Sequence, residues 1–182
     1  MSSITVAYAD PPYPGCAKRY PEKTEVDHVE LIGRLTREYP DGWALSTSSP
    51  SLRRLLPLCP EKARVGAWVK PFAAGRPNVN PIYAWEPVIF IPGRKGKANP
   101  LVDKDWVSVL GTEGKRQRVL GEKPEYFSFW LFTCLGLQPG DTLDDLFPGS
   151  GAVSEAWRSY QDQYPSFIAA AAARKSWRKV VR

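Results

Sequence analysis

Ile4-Thr5-Val6-Ala7-Tyr8-Ala9-Asp10-Pro11-Pro12-Tyr13 decides how the rest of the chain is read. From Ile4 to Ala9 the residues are apolar and rich in β-branched side chains, and two prolines stop the run. This pattern predicts a buried strand that ends in a loop. Asp10 and Tyr13 then sit at the carboxyl end of a strand, where α/β sheets bind their ligands. The prolines stiffen the backbone and remove two N–H donors, while their carbonyl oxygens remain acceptors. Asp10 adds a carboxylate and Tyr13 a flat ring.

Working outward, strands and helices alternate. Asp27-His28-Val29-Glu30 predicts a helix start, with Asp27 as cap and Glu30 completing a capping box. Val29, Ile32 and Leu35, with Leu31, supply its apolar stripe to about Tyr39. Residues 42–47 read as a second strand, and Pro50 opens a short helix with Leu52, Leu55 and Leu56. Residues 63–69 and 85–91 read as two further strands. Residues 124–135 predict an aromatic-rich helix, residues 141–147 a strand, and residues 152–160 a helix after the tight turn Pro148-Gly149-Ser150-Gly151. This alternation predicts an α/β fold with a largely parallel sheet.

The chain has 182 residues, 43% hydrophobic and 24% charged, which suits one globular domain over residues 1–182. Two parts differ in texture. Residues 93–121 hold seven Lys or Arg against three acids and read as a basic insertion, for which a solvated surface loop is an equally good reading. Residues 166–182 are alanine-rich with a basic finish and read as a terminal helix or tail. The formal net charge of +6 suits a polyanionic partner. Three separated cysteines, Cys16, Cys59 and Cys134, and one histidine, His28, leave no pattern for a metal site. The odd cysteine count points to a reducing compartment, with the cytoplasm as the expected location. Neither a secretion signal nor a membrane span is expected.

Asp10-Pro11-Pro12-Tyr13 suits one kind of chemistry. An aromatic amine is a poor nucleophile because its lone pair is delocalised into the ring. A carboxylate and a backbone carbonyl that accept its two N–H bonds draw it toward a tetrahedral form, and Asp10 then faces the developing positive charge. Tyr13 can hold the ring by stacking. These four residues resemble the catalytic motif of the amino-methyltransferases that modify adenine N6 or cytosine N4. An acid at the first position is typical of the adenine enzymes.

Further stretches carry the same resemblance. Asp145-Leu146-Phe147-Pro148-Gly149-Ser150-Gly151 is similar to the family's cofactor motif, and Glu122-Lys123-Pro124 stands where the family has a Lys-Pro. Trp68-Val69-Lys70-Pro71 and Tyr83 to Phe90 look like middle strands of the branch that contains the messenger-RNA adenine methyltransferases and their phage and bacterial relatives. The catalytic motif precedes the glycine motif, which is the circularly permuted order. The resemblance implies a Rossmann-like fold, S-adenosylmethionine as cofactor, no metal, and a cofactor pocket lined by Asp10, Lys123, Asp145, Phe147, Gly149 and Gly151. It implies methylation of adenine N6, with DNA favoured over RNA as the partner.

The family usually has a strand after the glycine motif that ends in a ribose-binding polar residue. Here only Gln161-Asp162-Gln163-Tyr164 stands near that place, and it fits poorly. Two other readings follow: a methyltransferase-like protein that binds nucleic acid or a partner without turnover, and an enzyme for cytosine N4, RNA or a glutamine side chain. Lys18, Arg19 and Lys23 after the catalytic motif, and Arg94, Lys95 and Lys97 in the basic insertion, are candidate phosphate contacts. His28 is expected at the surface, Trp85 in the core or beside the base, and Cys134 in the core. A separate recognition domain is not expected within residues 1–182, which leaves room for a homodimer or a partner subunit.

Overall fold

In the computed structural model the residues described are 2–19, 23–72, 75, 78–94, 100–101, 104–110 and 122–180, without the side chains of residues 19 and 174–180. Strand β1 is Thr5–Ala9, and everything from Val6 to Ala9 is buried. The remaining strands are β2 (Trp43–Ser46), β3 (Arg64–Val69), β4 (Trp85–Ile91), β5 (Trp106–Ser108) and β6 (Thr142–Asp145). They form one sheet in the order β5-β3-β4-β2-β1-β6. β1 pairs in parallel with both β2 and β6, and β3 pairs in parallel with β5. β4 runs against its neighbours β2 and β3, so it alone is reversed.

The strand pleat divides the core. Val6 and Tyr8 of β1, Ala44 of β2, and Val88 and Phe90 of β4 face one side, where they meet α3 (Glu125–Leu135) and α4 (Ala152–Val180). Ala7, Ala9, Trp43, Leu45, Ile89 and Ile91 face the other, against α1 (His28–Glu38) and α2 (Ser49–Leu55). Period-two alternation in strands buried on both faces thus makes two cores and three layers. Gly66 of β3 lets the first core close, because a Cβ there would lie 2.9 Å from the Trp130 ring.

The path of the chain marks a place for a site. From β1 it passes through α1 to β2 on one side, whereas β6 lies on the other side of β1. The sheet order therefore reverses between β1 and β6. In open α/β sheets the loops diverge at such a point and leave a crevice at the carboxyl ends of the strands.

Several local expectations need correction. Asp27 does cap α1, accepting from the N–H groups of Val29 and Glu30. The reciprocal bond of a capping box is replaced, because Glu30 pairs with Arg37 two turns along the same face. Leu31, Ile32 and Leu35 bury the stripe, while Val29 points to solvent. His28 is buried rather than at the surface, with Nδ1 against the Val26 carbonyl at 2.8 Å. Trp85 is partly exposed, so it is not a core residue. Pro124 is the residue before α3, not its first turn. The basic stretch 93–121 contains strand β5, which polar neighbours and few apolar residues concealed. The helix after the glycine turn does not stop near Tyr160 but continues as α4 through Pro165, so Gln161 to Tyr164 are helical. Among the described residues no helix is long and apolar enough to cross a membrane.

Arg94 is the largest correction among the candidate phosphate contacts. Its guanidinium is buried in an ion pair with Asp141 and also donates to the carbonyls of Gly136 and Ser2. Asp141 in turn accepts from the N–H groups of Ile4 and Gln138. Burial opposes the Asp141 charge, but the Arg94 bonds and these two N–H groups hold its carboxyl below the usual range. The cluster staples the entry of β1 to the end of α3 and the start of β6. Arg94→Ala strands a buried carboxylate and is expected to cost about 3–5 kcal/mol of stability, read by urea unfolding. Because the Asp141 pKa is depressed in the fold, this contribution is present at neutral pH and fades as pH falls through the folded value. Loss of nucleic-acid affinity without loss of stability in the variant would contradict the structural role.

Candidate active site

Parallel register brings the two main motifs together. Tyr8 lies opposite Asp145, and the Leu146 N–H donates to the Tyr8 carbonyl at 2.9 Å. Asp10 leaves β1 and the glycine turn leaves β6 at the same end of the sheet, side by side. Pro11 is buried and Pro12 and Tyr13 are half-buried, which holds the catalytic-motif loop down on the sheet. Gly149 and Gly151 turn the chain into α4 with φ of 51° and 80°, a conformation that L side chains rarely adopt.

Lys123 crosses from the segment before α3 and forms an ion pair with Asp10 Oδ2. The Lys123 side chain is 4% exposed and that of Asp10 17%. Burial pushes the Asp10 carboxyl up, against the opposing pull of the Lys123 charge and hydrogen bond. Lys123 is thus the main group that favours the ionised form of Asp10 in a poorly hydrated place. Lys123 engages one carboxylate oxygen of Asp10, Oδ2.

Asp145 adds a second carboxylate. Its Oδ1 accepts from the Phe147 N–H at 3.3 Å, while its buried Oδ2 has no partner among the described residues. Burial, and then the nearby Asp10, push its carboxyl up, against the Phe147 N–H and Lys123. A buried acceptor without a donor is costly, about 1–3 kcal/mol, and suits a ligand that brings a positive or N–H-bearing group.

The sites expected from sequence are therefore partly assembled. Asp10, Tyr13, Lys123, Asp145 and the glycine turn converge. Phe147 packs instead against the core under α1 and is only half-buried. Lys18 and Lys23 are exposed on the loop that follows the motif. The Arg19 side chain, Lys95 and Lys97 lie outside the described residues. Glu86 and Lys70 were missed as site residues. Tyr13 donates from its hydroxyl to Glu86 Oε2 at 2.9 Å, and Lys70 pairs with Glu86 Oε1. Both lie in stretches that the resemblance singled out only as strands.

Solved structures share this arrangement of the chain. The structure of M1.HpyAVI superposes with a TM-score of 0.58 at 14% identity, covering 87% of this chain and 77% of that one. The M1.HpyAVI–SAM complex gives 0.57 at 16% identity, with 86% and 78% covered. The fold is the Rossmann-like fold of S-adenosylmethionine-dependent methyltransferases. No protein-family model and no curated protein matches the sequence.

If Lys123 sustains the Asp10 charge, Lys123→Met shifts the titration of the Asp10 carboxyl to higher pH. Carbon-13 NMR of aspartate-labelled protein reads this directly, with Asp10→Asn to assign the signal. A titration unmoved by the substitution would remove Lys123 from that role.

Proposed function

We propose that this chain is an S-adenosylmethionine-dependent methyltransferase of the permuted amino-methyltransferase branch, acting on the N6 amine of adenine in DNA. The observation that carries the reading is the pairing of β1 with β6, which sets Asp10-Pro11-Pro12-Tyr13 beside the glycine turn at the switch point of the sheet. The M1.HpyAVI–SAM complex, a structure of similar fold solved with this cofactor, supports the reading.

The residues fit the cofactor. The partnerless Asp145 Oδ2 matches the cationic amine of its methionine part, and the positive-φ glycines bring the backbone close to a ligand. When bound, S-adenosylmethionine would supply a methyl group from its sulfonium to the amine nitrogen and leave as the neutral thioether. Asp10 Oδ1 and the Pro11 carbonyl would accept the two amine N–H bonds, and Tyr13 would present its ring to the base. Asp10 would then take the excess proton or pass it to water. Burial, then Asp10 and Glu86, hold the Tyr13 hydroxyl well above its ordinary pKa, so it stays protonated across the working range. The net charge of +6 and the exposed Lys18 and Lys23 support a polyanionic substrate.

Methyl transfer from labelled S-adenosylmethionine to single- and double-stranded DNA and RNA, with mass spectrometry of the digested product, tests the acceptor. N6-methyladenine in DNA is expected, and Asp10→Ala should reduce its rate about 100-fold or more. A product on cytosine, on RNA or on protein would move the acceptor, and undiminished transfer by Asp10→Ala would sink the role of that residue. Asp145→Asn should weaken cofactor binding about tenfold or more in calorimetry with the fold retained.

A second reading keeps binding and drops turnover. It is favoured by α4, whose helical Gln161 to Tyr164 occupy the place expected for the ribose-binding strand, leaving β6 at the edge of the sheet. Calorimetry separates the two, because this reading predicts weak cofactor binding and no product on any acceptor.

A further inference from the structure

Tyr13 is hydrogen-bonded to a side chain from the opposite half of the sheet that lies outside the three motifs, and the charges of that side chain and its partner act on Asp10. Trp68 of β3 faces Glu86 of β4 in register, and Val69 faces Trp85. The Trp68 indole is itself fixed, donating from Nε1 to the Val109 carbonyl at 3.0 Å and packing on Phe127 at 5.2 Å. Lys70 lies with Nζ 4.6 Å from the Trp68 ring centroid and pairs with Glu86. Lys123, which holds Asp10, lies over the same indole at 6.0 Å. Two lysine–carboxylate pairs therefore meet at one aromatic ring, and Glu86 reaches Tyr13 across 73 positions of sequence.

We infer that Glu86 and Lys70 are the positioning pair of the target-base pocket: Glu86 fixes the Tyr13 ring through its hydroxyl, and Lys70 holds Glu86 and balances its charge beside Asp10. The inference deepens the methyltransferase reading and rests on it for the identity of the ring that Tyr13 meets.

The physical argument has two parts. Tyr13 follows a loop of prolines, and its ring has only two side-chain torsions to fix. A hydroxyl donating to a carboxylate fixes them more firmly than a neutral acceptor, because charge-assisted bonds are roughly twice as strong. The single hydroxyl proton is spent on Glu86, so the ring offers a base its face and not a donor. The second part is electrostatic. Asp10 is faced by Lys123 from the segment before α3, Glu86 from β4, Lys70 after β3, Asp145 from β6, and Tyr8 and Tyr13 from its own strand and loop. Glu86 works against an ionised Asp10 and Lys70 works for it. Neither can be neutralised without moving the balance.

The two members therefore have opposite signatures. Glu86→Gln keeps an acceptor for Tyr13 but removes a negative charge, so the Asp10 carboxyl titrates at lower pH. Lys70→Met removes a positive charge, so Asp10 titrates at higher pH. Glu86→Leu removes both charge and acceptor. It should lower the Asp10 titration as well and also raise the KM for oligonucleotide about tenfold, while cofactor affinity holds. Carbon-13 NMR of Asp10 and the acidic limb of the rate profile read the charge effect, and KM against kcat reads the ring.

Opposite displacements by Glu86→Gln and Lys70→Met, together with the KM rise in Glu86→Leu, are expected. Displacements in one direction, or none, in folded variants overturn the inference even if the wild type transfers methyl groups. If the wild type transfers nothing but the NMR displacements hold and Glu86→Leu weakens oligonucleotide binding in fluorescence anisotropy, the positioning pair stands and the enzymatic reading falls.

Discussion

Parallel pairing of β1 with β6 is the constraint on which the rest depends. Hydrogen-bond register along two short strands sets Tyr8 against Asp145, and the residues that follow each strand emerge side by side at the same end of the sheet. Every later feature uses that placement. The prolines after Asp10 keep its loop from wandering, and the positive-φ glycines turn the other loop sharply into α4. The Arg94–Asp141 pair then pins the start of β1 to the entrance of β6, so the register is held from both ends.

Within that crevice the chemistry is a matter of charge kept out of water. Asp10 is mostly enclosed and burial alone would favour its neutral form. Lys123 and Lys70 oppose that tendency while Glu86 and Asp145 add to it. A carboxylate whose charge is favoured by a neighbouring cation, with one oxygen engaged by that cation, has the chemistry to accept an N–H from an incoming amine. The neighbouring Asp145 has a buried oxygen without a donor among the described residues. Two carboxylates in different surroundings thus stand at the ends of adjacent strands.

Much of this was legible in the sequence because it depends on local pattern. Alternation of apolar residues with β-branched strands, the stop at Pro11-Pro12 and the cap at Asp27 placed β1, α1 and the parallel core within a residue or two. What was not legible depends on pairing between distant segments. Arg94 read as one of a run of surface cations, since nothing nearby in sequence announces Asp141. Glu86 read as an ordinary strand residue, since its partners Tyr13 and Lys70 arrive from the segments that follow β1 and β3. β5 was hidden because a three-residue edge strand carries too little periodicity to stand out from a basic loop. Gln161 to Tyr164 could not become a strand because α4 continues through them and packs Tyr164, Phe167 and Ile168 on the core beneath α3.

The proposed function requires one crevice between β1 and β6 to serve both the cofactor and the acceptor amine. A crystal structure of the protein with S-adenosylmethionine is the direct test. The expected result is the amine of the cofactor's methionine part at Asp145 Oδ2 and the sulfonium methyl directed toward the Asp10 carboxyl. Cofactor bound elsewhere on the sheet, or with its methyl directed away from Asp10, would contradict it.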